Sequence, residues 1–145
     1  MNLGLDEVLN QEEEKKAEVV QMEPKRLPFA TWEVGGNEYK LKLKTAVICQ
    51  IESKLGDNLL SVVTKGEIPP LFIMLTIVQG AAQAYHHNLK YADVQNLFDT
   101  YCEEGGTQLT LFADVVMPIM IASGFFTVRQ AEMMQERMEA LKELL

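Results

Sequence analysis

The sequence predicts an α+β fold, mainly α, with an N-terminal β-hairpin followed by a compact bundle of about five to six helices. Three observations carry that expectation. Tyr39, Leu41 and Leu43 alternate with Lys40, Lys42 and Lys44 behind a Gly35-Gly36-Asn37 turn. From Thr45 onward apolar residues recur at spacings of three and four, the period of a helix face. The 145-residue chain is 48% hydrophobic, too apolar for a wholly disordered chain and long enough for one core without a metal or disulfide staple.

The hairpin begins with Leu27, Phe29, Thr31, Trp32, Glu33 and Val34, which lead into the glycine turn. On the returning strand the apolar residues point to the core and the three lysines to water, where a lysine row protects a strand edge from stray pairing. The first helix holds Ala46, Val47, Ile48, Ile51 and Leu55, with Thr45 as its cap and Gly56 at its end. Asp57 is placed to cap a short helix through Leu59, Leu60, Val62 and Val63, broken near Gly66. Pro69-Pro70 opens an apolar helix expected to run to about His87. Val94, Leu97, Phe98 and Tyr101 define the next, from Tyr91 or Ala92 to about Glu103, ended by Gly105-Gly106. Another spans about Thr107 to Ser123, and Pro118 inside it should kink it or mark a boundary. Thr127 opens the last helix.

The chain divides into an acidic arm (1–26), a hairpin and helical core domain (27–126) and a C-terminal amphipathic helix (127–145). The arm holds seven acids and four bases, and Asp6 to Val20 offers only a small apolar face, so a mobile arm is expected. On the last helix Thr127, Ala131, Met134, Met138, Leu141 and Leu145 form a stripe at spacings of four and three. By pattern alone this stripe can dock on the chain's own core, pair with itself in a homo-oligomer, or take a client.

Thirteen Lys and Arg against twenty-one Asp and Glu leave a net charge of -8. That balance argues against nucleic acid and against an anionic membrane as partners. The N-terminus lacks the basic start and apolar run of a secretory signal. Leu71 to Tyr85 is shorter than the roughly 20 apolar residues of a membrane-spanning helix. Cys49 and Cys102 fit no CxxC or disulfide framework and are expected as buried reduced thiols.

No residue constellation points to catalysis, a metal or a cofactor. His86 and His87 are adjacent, about 100° apart on a helix, where a helical zinc pair needs a spacing of three or four. Ser123 lacks the glycine two residues earlier that a nucleophile elbow requires. Gly35-Gly36 and Gly105-Gly106 belong to no phosphate-binding loop and read as turns. Glu103-Glu104 oppose the helix dipole at a helix end, which an exposed loop or a cation contact would explain.

Taken in order, several short motifs resemble the tail assembly chaperones of long-tailed phages and prophages of Gram-positive bacteria. They are the segment from Trp32 to Thr45, Ile51-Glu-Ser-Lys-Leu-Gly56, Pro69-Pro70 opening an apolar helix, His86-His87, the run from Asp99 to Gly106, and Ala122-Ser-Gly-Phe-Phe126. Together they span about residues 29–126. The resemblance implies a non-enzymatic protein of the bacterial host cytoplasm, absent from the mature virion, that keeps the tape measure protein soluble during tail assembly. It also implies the tail tube protein and a frameshifted longer form of the chain as further partners. The first 26 residues and the last helix lie outside the resemblance; it is the apolar stripe of that helix that marks Met134, Met138, Leu141 and Leu145 as the expected partner-binding residues. The alternative is a small structural tail or connector component, in which the hairpin adds strands between subunits.

Overall fold

The computed structural model describes residues 27–144. The arm and Leu145 lie outside the described residues. The fold is α+β and mainly α, a two-stranded antiparallel hairpin followed by six helices. Strand β1 is Ala30–Val34 and β2 is Asn37–Leu41. Their register pairs Ala30 with Leu41, Trp32 with Tyr39 and Val34 with Asn37. Both turn residues have positive φ, +62° at Gly35 and +76° at Gly36. Two successive left-handed residues make the turn whose twist matches paired strands, and only glycine adopts it without strain.

Ala30, Trp32, Val34, Leu41 and Leu43 are buried, while Lys40 and Lys44 are exposed and Lys42 half-buried. The chain itself occupies the outer edge of β2 at Lys40 and continues to do so just past the strand's end. The Lys40 N–H donates to His86 Nε2 (3.1 Å), the Lys42 N–H to the Ala81 carbonyl (3.0 Å) and the Leu43 N–H to Ser123 Oγ (2.9 Å).

Helix α1 (Thr45–Leu55) begins one residue before its expected cap took effect. Lys44 occupies the cap position without a side-chain bond, and Thr45 is already helical. Helix α2 (Leu59–Thr64) is capped by Asn58, whose side chain accepts from the Ser61 N–H (3.1 Å), not by Asp57. Asp57 accepts instead from the Asn58 N–H and pairs with Lys65. These contacts, the backbone bond first, lower its carboxyl pKa.

Helix α3 (Leu71–Ala82) stops five residues before the expected His87. The Tyr85 and His86 N–H groups both donate to the Ala82 carbonyl, turning the chain so that His86 reaches β2. Long-range contact with the hairpin therefore outweighs another turn of helix. Helix α4 is Tyr91–Glu103.

Helix α5 (Gln108–Ala122) contains one π-helical turn, Phe112–Val116, which ends two residues before Pro118. Proline lacks an N–H and its ring crowds the carbonyl four residues back. A wider turn at this point accommodates both problems. Helix α6 (Val128–Glu143) starts with a reciprocal cap between Thr127 and Gln130.

One core cluster joins the hairpin to all six helices, from Ala30 to Ala131. Residues 127–144 thus pack on the same core as residues 27–126. Among the described residues no single helix is long and apolar enough to cross a membrane.

Candidate partner-binding surface

The apolar stripe of α6 faces inward over its first half. Ala131 is buried, and Met134 and Met138 are half-buried against the core. Leu141 is half-buried, and Leu145 lies outside the described residues. Val128 (37% exposed) and Met133 (56%) are the large apolar residues of α6 that point to water, and Leu144 (82%) does so at its C-cap. The expected partner-binding set therefore divides. The spacing located the stripe; Met134 and Met138 pack against the core while half-exposed, and Met138 also lines a cleft between α5 and α6.

What α6 leaves open lies beside the stripe. An apolar groove of about 270 Å³ runs between the start of the hairpin, the second half of α5 and the first half of α6. Leu27, Phe29, Pro118, Ile121 and Val128 contribute to its wall, and Ala131 to its floor. Leu27 (69% exposed) and Val128 (37%) stand at its margins. The Phe29 ring meets Tyr85 edge-on (5.8 Å), and the Lys40 ammonium sits over it at 4.9 Å.

A second cleft of about 310 Å³ continues along the same two helices and shares Pro118, Ile121 and Gln135 with the first. Asp114 lies on this cleft, in the π-helical turn, and pairs with Lys142 of α6 (2.7 Å). Lys142 also holds Glu139 (3.0 Å), and these two contacts raise its pKa.

On α6, Glu132 lines the first cleft and Glu139 the second, and both continue into an acidic strip beside the clefts that adds Glu136 and Glu143. Glu132, Glu136 and Glu143 are exposed. Neither Arg129 nor Arg137 lines the three hollows along this helix.

The other residues singled out in the sequence have structural partners. His86 accepts from β2 and meets the Tyr39 ring edge-on (5.2 Å), whereas His87 is exposed. Ser123 accepts from the Leu43 N–H. Glu104 is exposed in the turn after α4, and its Oε1 accepts from the Gly35 N–H of the hairpin turn (2.8 Å). Gly106 lies against the Tyr101 ring, whose hydroxyl pairs with Thr110 (2.7 Å). Burial outweighs that hydrogen bond and raises the phenol pKa.

Both cysteines are exposed, not buried as expected. Cys49 is two residues from both Val47 and Ile51, about 200° around the helix, so it points away from the face α1 buries. Cys102 lies in the last turn of α4. Among the described residues no group of three or more His, Cys, Asp or Glu is placed to hold a metal ion.

Sequence reasoning missed the groove because its wall comes from three segments far apart in the chain. The apolar pair Leu27 and Phe29, lying just ahead of the strand, was its one local signal.

A family model described as a family of unknown function (DUF6096) matches residues 26–144. No curated protein and no solved structure matches the chain.

Proposed function

We propose that the chain, which belongs to the DUF6096 family, is a phage tail assembly chaperone that binds the tape measure protein and keeps it soluble, without enzymatic activity. The observation that supports this reading most is the open apolar groove on an otherwise acidic surface. A holdase needs apolar area to engage a sticky client and net charge to keep the complex in solution. The order of short motifs across residues 29–126 is the second support, and it is what names the client. The host cytoplasm as the place of action, a frameshifted longer form and the tail tube protein as a further partner follow from that resemblance.

The structural-component alternative relied on strand addition by the hairpin. The C-terminal part of the β2 edge offers little for it, because the Lys40 N–H and, just past the strand, the Lys42 N–H already donate within the chain.

Co-expression with the tape measure protein encoded by the same phage or prophage tests the reading. The chain should shift that protein from the pellet to the soluble fraction and co-purify with it. Insoluble tape measure protein at equal expression, or stoichiometric presence of the chain in purified particles, would refute the proposal.

A further inference from the structure

We infer that the groove between Leu27, Phe29, Pro118, Ile121 and Val128 binds a basic amphipathic helix of the client, its apolar face in the groove and its cationic flank against α6. This inference rests on the holdase reading and names the surface and the partner chemistry that would serve it.

Shape is the first argument. The two clefts follow α5 from Ala113 to Ala122, roughly 13 Å at the rise of a helix. A trough of that length between helices accepts a few turns of a third helix lying alongside. Two of its margins, Leu27 and Val128, are already apolar and exposed.

Charge selects the occupant. Glu132, Glu136 and Glu143 are exposed along α6, and among the described residues their carboxylates have no ion pair. Asp114 and Glu139 are matched by Lys142. Glu132 at the groove and the strip of Glu136 and Glu143 beside it thus set carboxylates next to apolar surface, which suits a partner with lysine or arginine flanking an apolar stripe. A second copy of this chain would set one acidic wall against another. The arm, with seven acids to four bases, carries the wrong net sign as well. Both remain as outcomes of the test.

The test uses the full-length chain and two labelled synthetic peptides of equal length. One repeats leucine and lysine at helical spacing; the other has glutamate in place of lysine. Fluorescence anisotropy should show saturable binding of the lysine peptide, weakening with added salt, and at least about tenfold weaker binding of the glutamate peptide. The double variant Glu132→Lys, Glu136→Lys should reverse that preference. The double variant Leu27→Asp, Val128→Asp, at two exposed sites, should weaken lysine-peptide binding at least about tenfold while leaving the far-UV spectrum and thermal midpoint unchanged.

Equal binding of the two peptides would overturn the inference, as would indifference to either double variant. Tighter peptide binding by Val19→Asp, Val20→Asp, Met22→Asp would assign the groove to the arm and overturn it. A dimer in light scattering that Leu27→Asp, Val128→Asp dissolves would assign it to a second copy, with the same consequence. Tape measure protein kept soluble by a chain that binds neither peptide removes the groove inference and leaves the proposed function standing. Lysine-peptide binding with insoluble tape measure protein does the reverse.

Discussion

Gly80 shows how one residue sets the distance between two helices. It lies in α3 facing α1, and a Cβ built on it would meet Val47 Cγ1 at 2.8 Å and Ile51 Cδ1 at 3.0 Å. The first contact is shorter than packed atoms show and the second is tight enough to force Ile51 aside, so the helices approach closely because the side chain is absent. Gly80→Val should destabilise the fold by about 1–3 kcal/mol through overpacking, read as a lower urea midpoint with an unchanged slope. A midpoint equal to that of the parent would mean that α1 yields easily. Trp32 illustrates the opposite case. It is 3% exposed, and its indole N–H is the one buried side-chain donor or acceptor among the described residues without a hydrogen-bond partner. Its ring packs edge-on to Tyr101 at 5.6 Å, so apolar contact holds it where a polar group is left unpaid.

At the scale of elements, α6 is the helix whose attachment matters most, since it supplies one wall of the groove. Its first half is fixed by the Thr127–Gln130 cap and by Ala131, Met134 and Met138 on the core. Its last turns are fixed by Lys142, which bridges to Asp114 across to α5. Lys142→Met should therefore raise hydrogen exchange in the second half of α6 severalfold and leave α3 protected. The same loosening is expected in strong base. The hydrogen bonds to Asp114 and Glu139 raise the folded pKa of Lys142 above the ordinary lysine value. Their stabilisation is complete at pH below that ordinary value and is lost as pH rises through the raised folded value. Exchange in α6 corrected for intrinsic rate should stay flat across neutral pH and climb only in that alkaline window.

For the whole molecule, the net charge of -8 governs behaviour in solution more than any single ion pair. Three salt bridges join the described residues, and all involve exposed or half-exposed side chains, a class of contact that adds little stability. Charge instead opposes association, and that opposition vanishes near the isoelectric point of about 4.8. Light scattering at constant protein concentration should rise towards pH 4.8 and fall again on either side. A flat profile would mean that apolar surface, not charge, sets its solubility.

Local physics made most of the fold legible. Period-two alternation behind Gly35-Gly36 placed the hairpin, and three- and four-residue spacing placed all six helices. Gly56 and Gly105 marked helix ends, and Thr127 marked a start, because caps and turns are decided by a few adjacent residues. Details requiring a distant partner were not legible. Glu104 is held by a turn N–H 69 residues away, the end of α3 by a bond from His86 to β2, and Cys49 turns outward because Val47 and Ile51 claim the inner face of α1. The stripe on α6 was readable, but its destination was not: spacing shows that a face is apolar and says nothing of what covers it. Leu27, Ile121 and Val128 meet at the groove only because the hairpin, α5 and α6 converge on one core. Sequence by itself therefore determined the elements and their amphipathic faces, which depend on neighbours in the chain. Only the tertiary structure decided which of those faces are spent on the core and which stay open, because that depends on contacts between residues far apart in the chain.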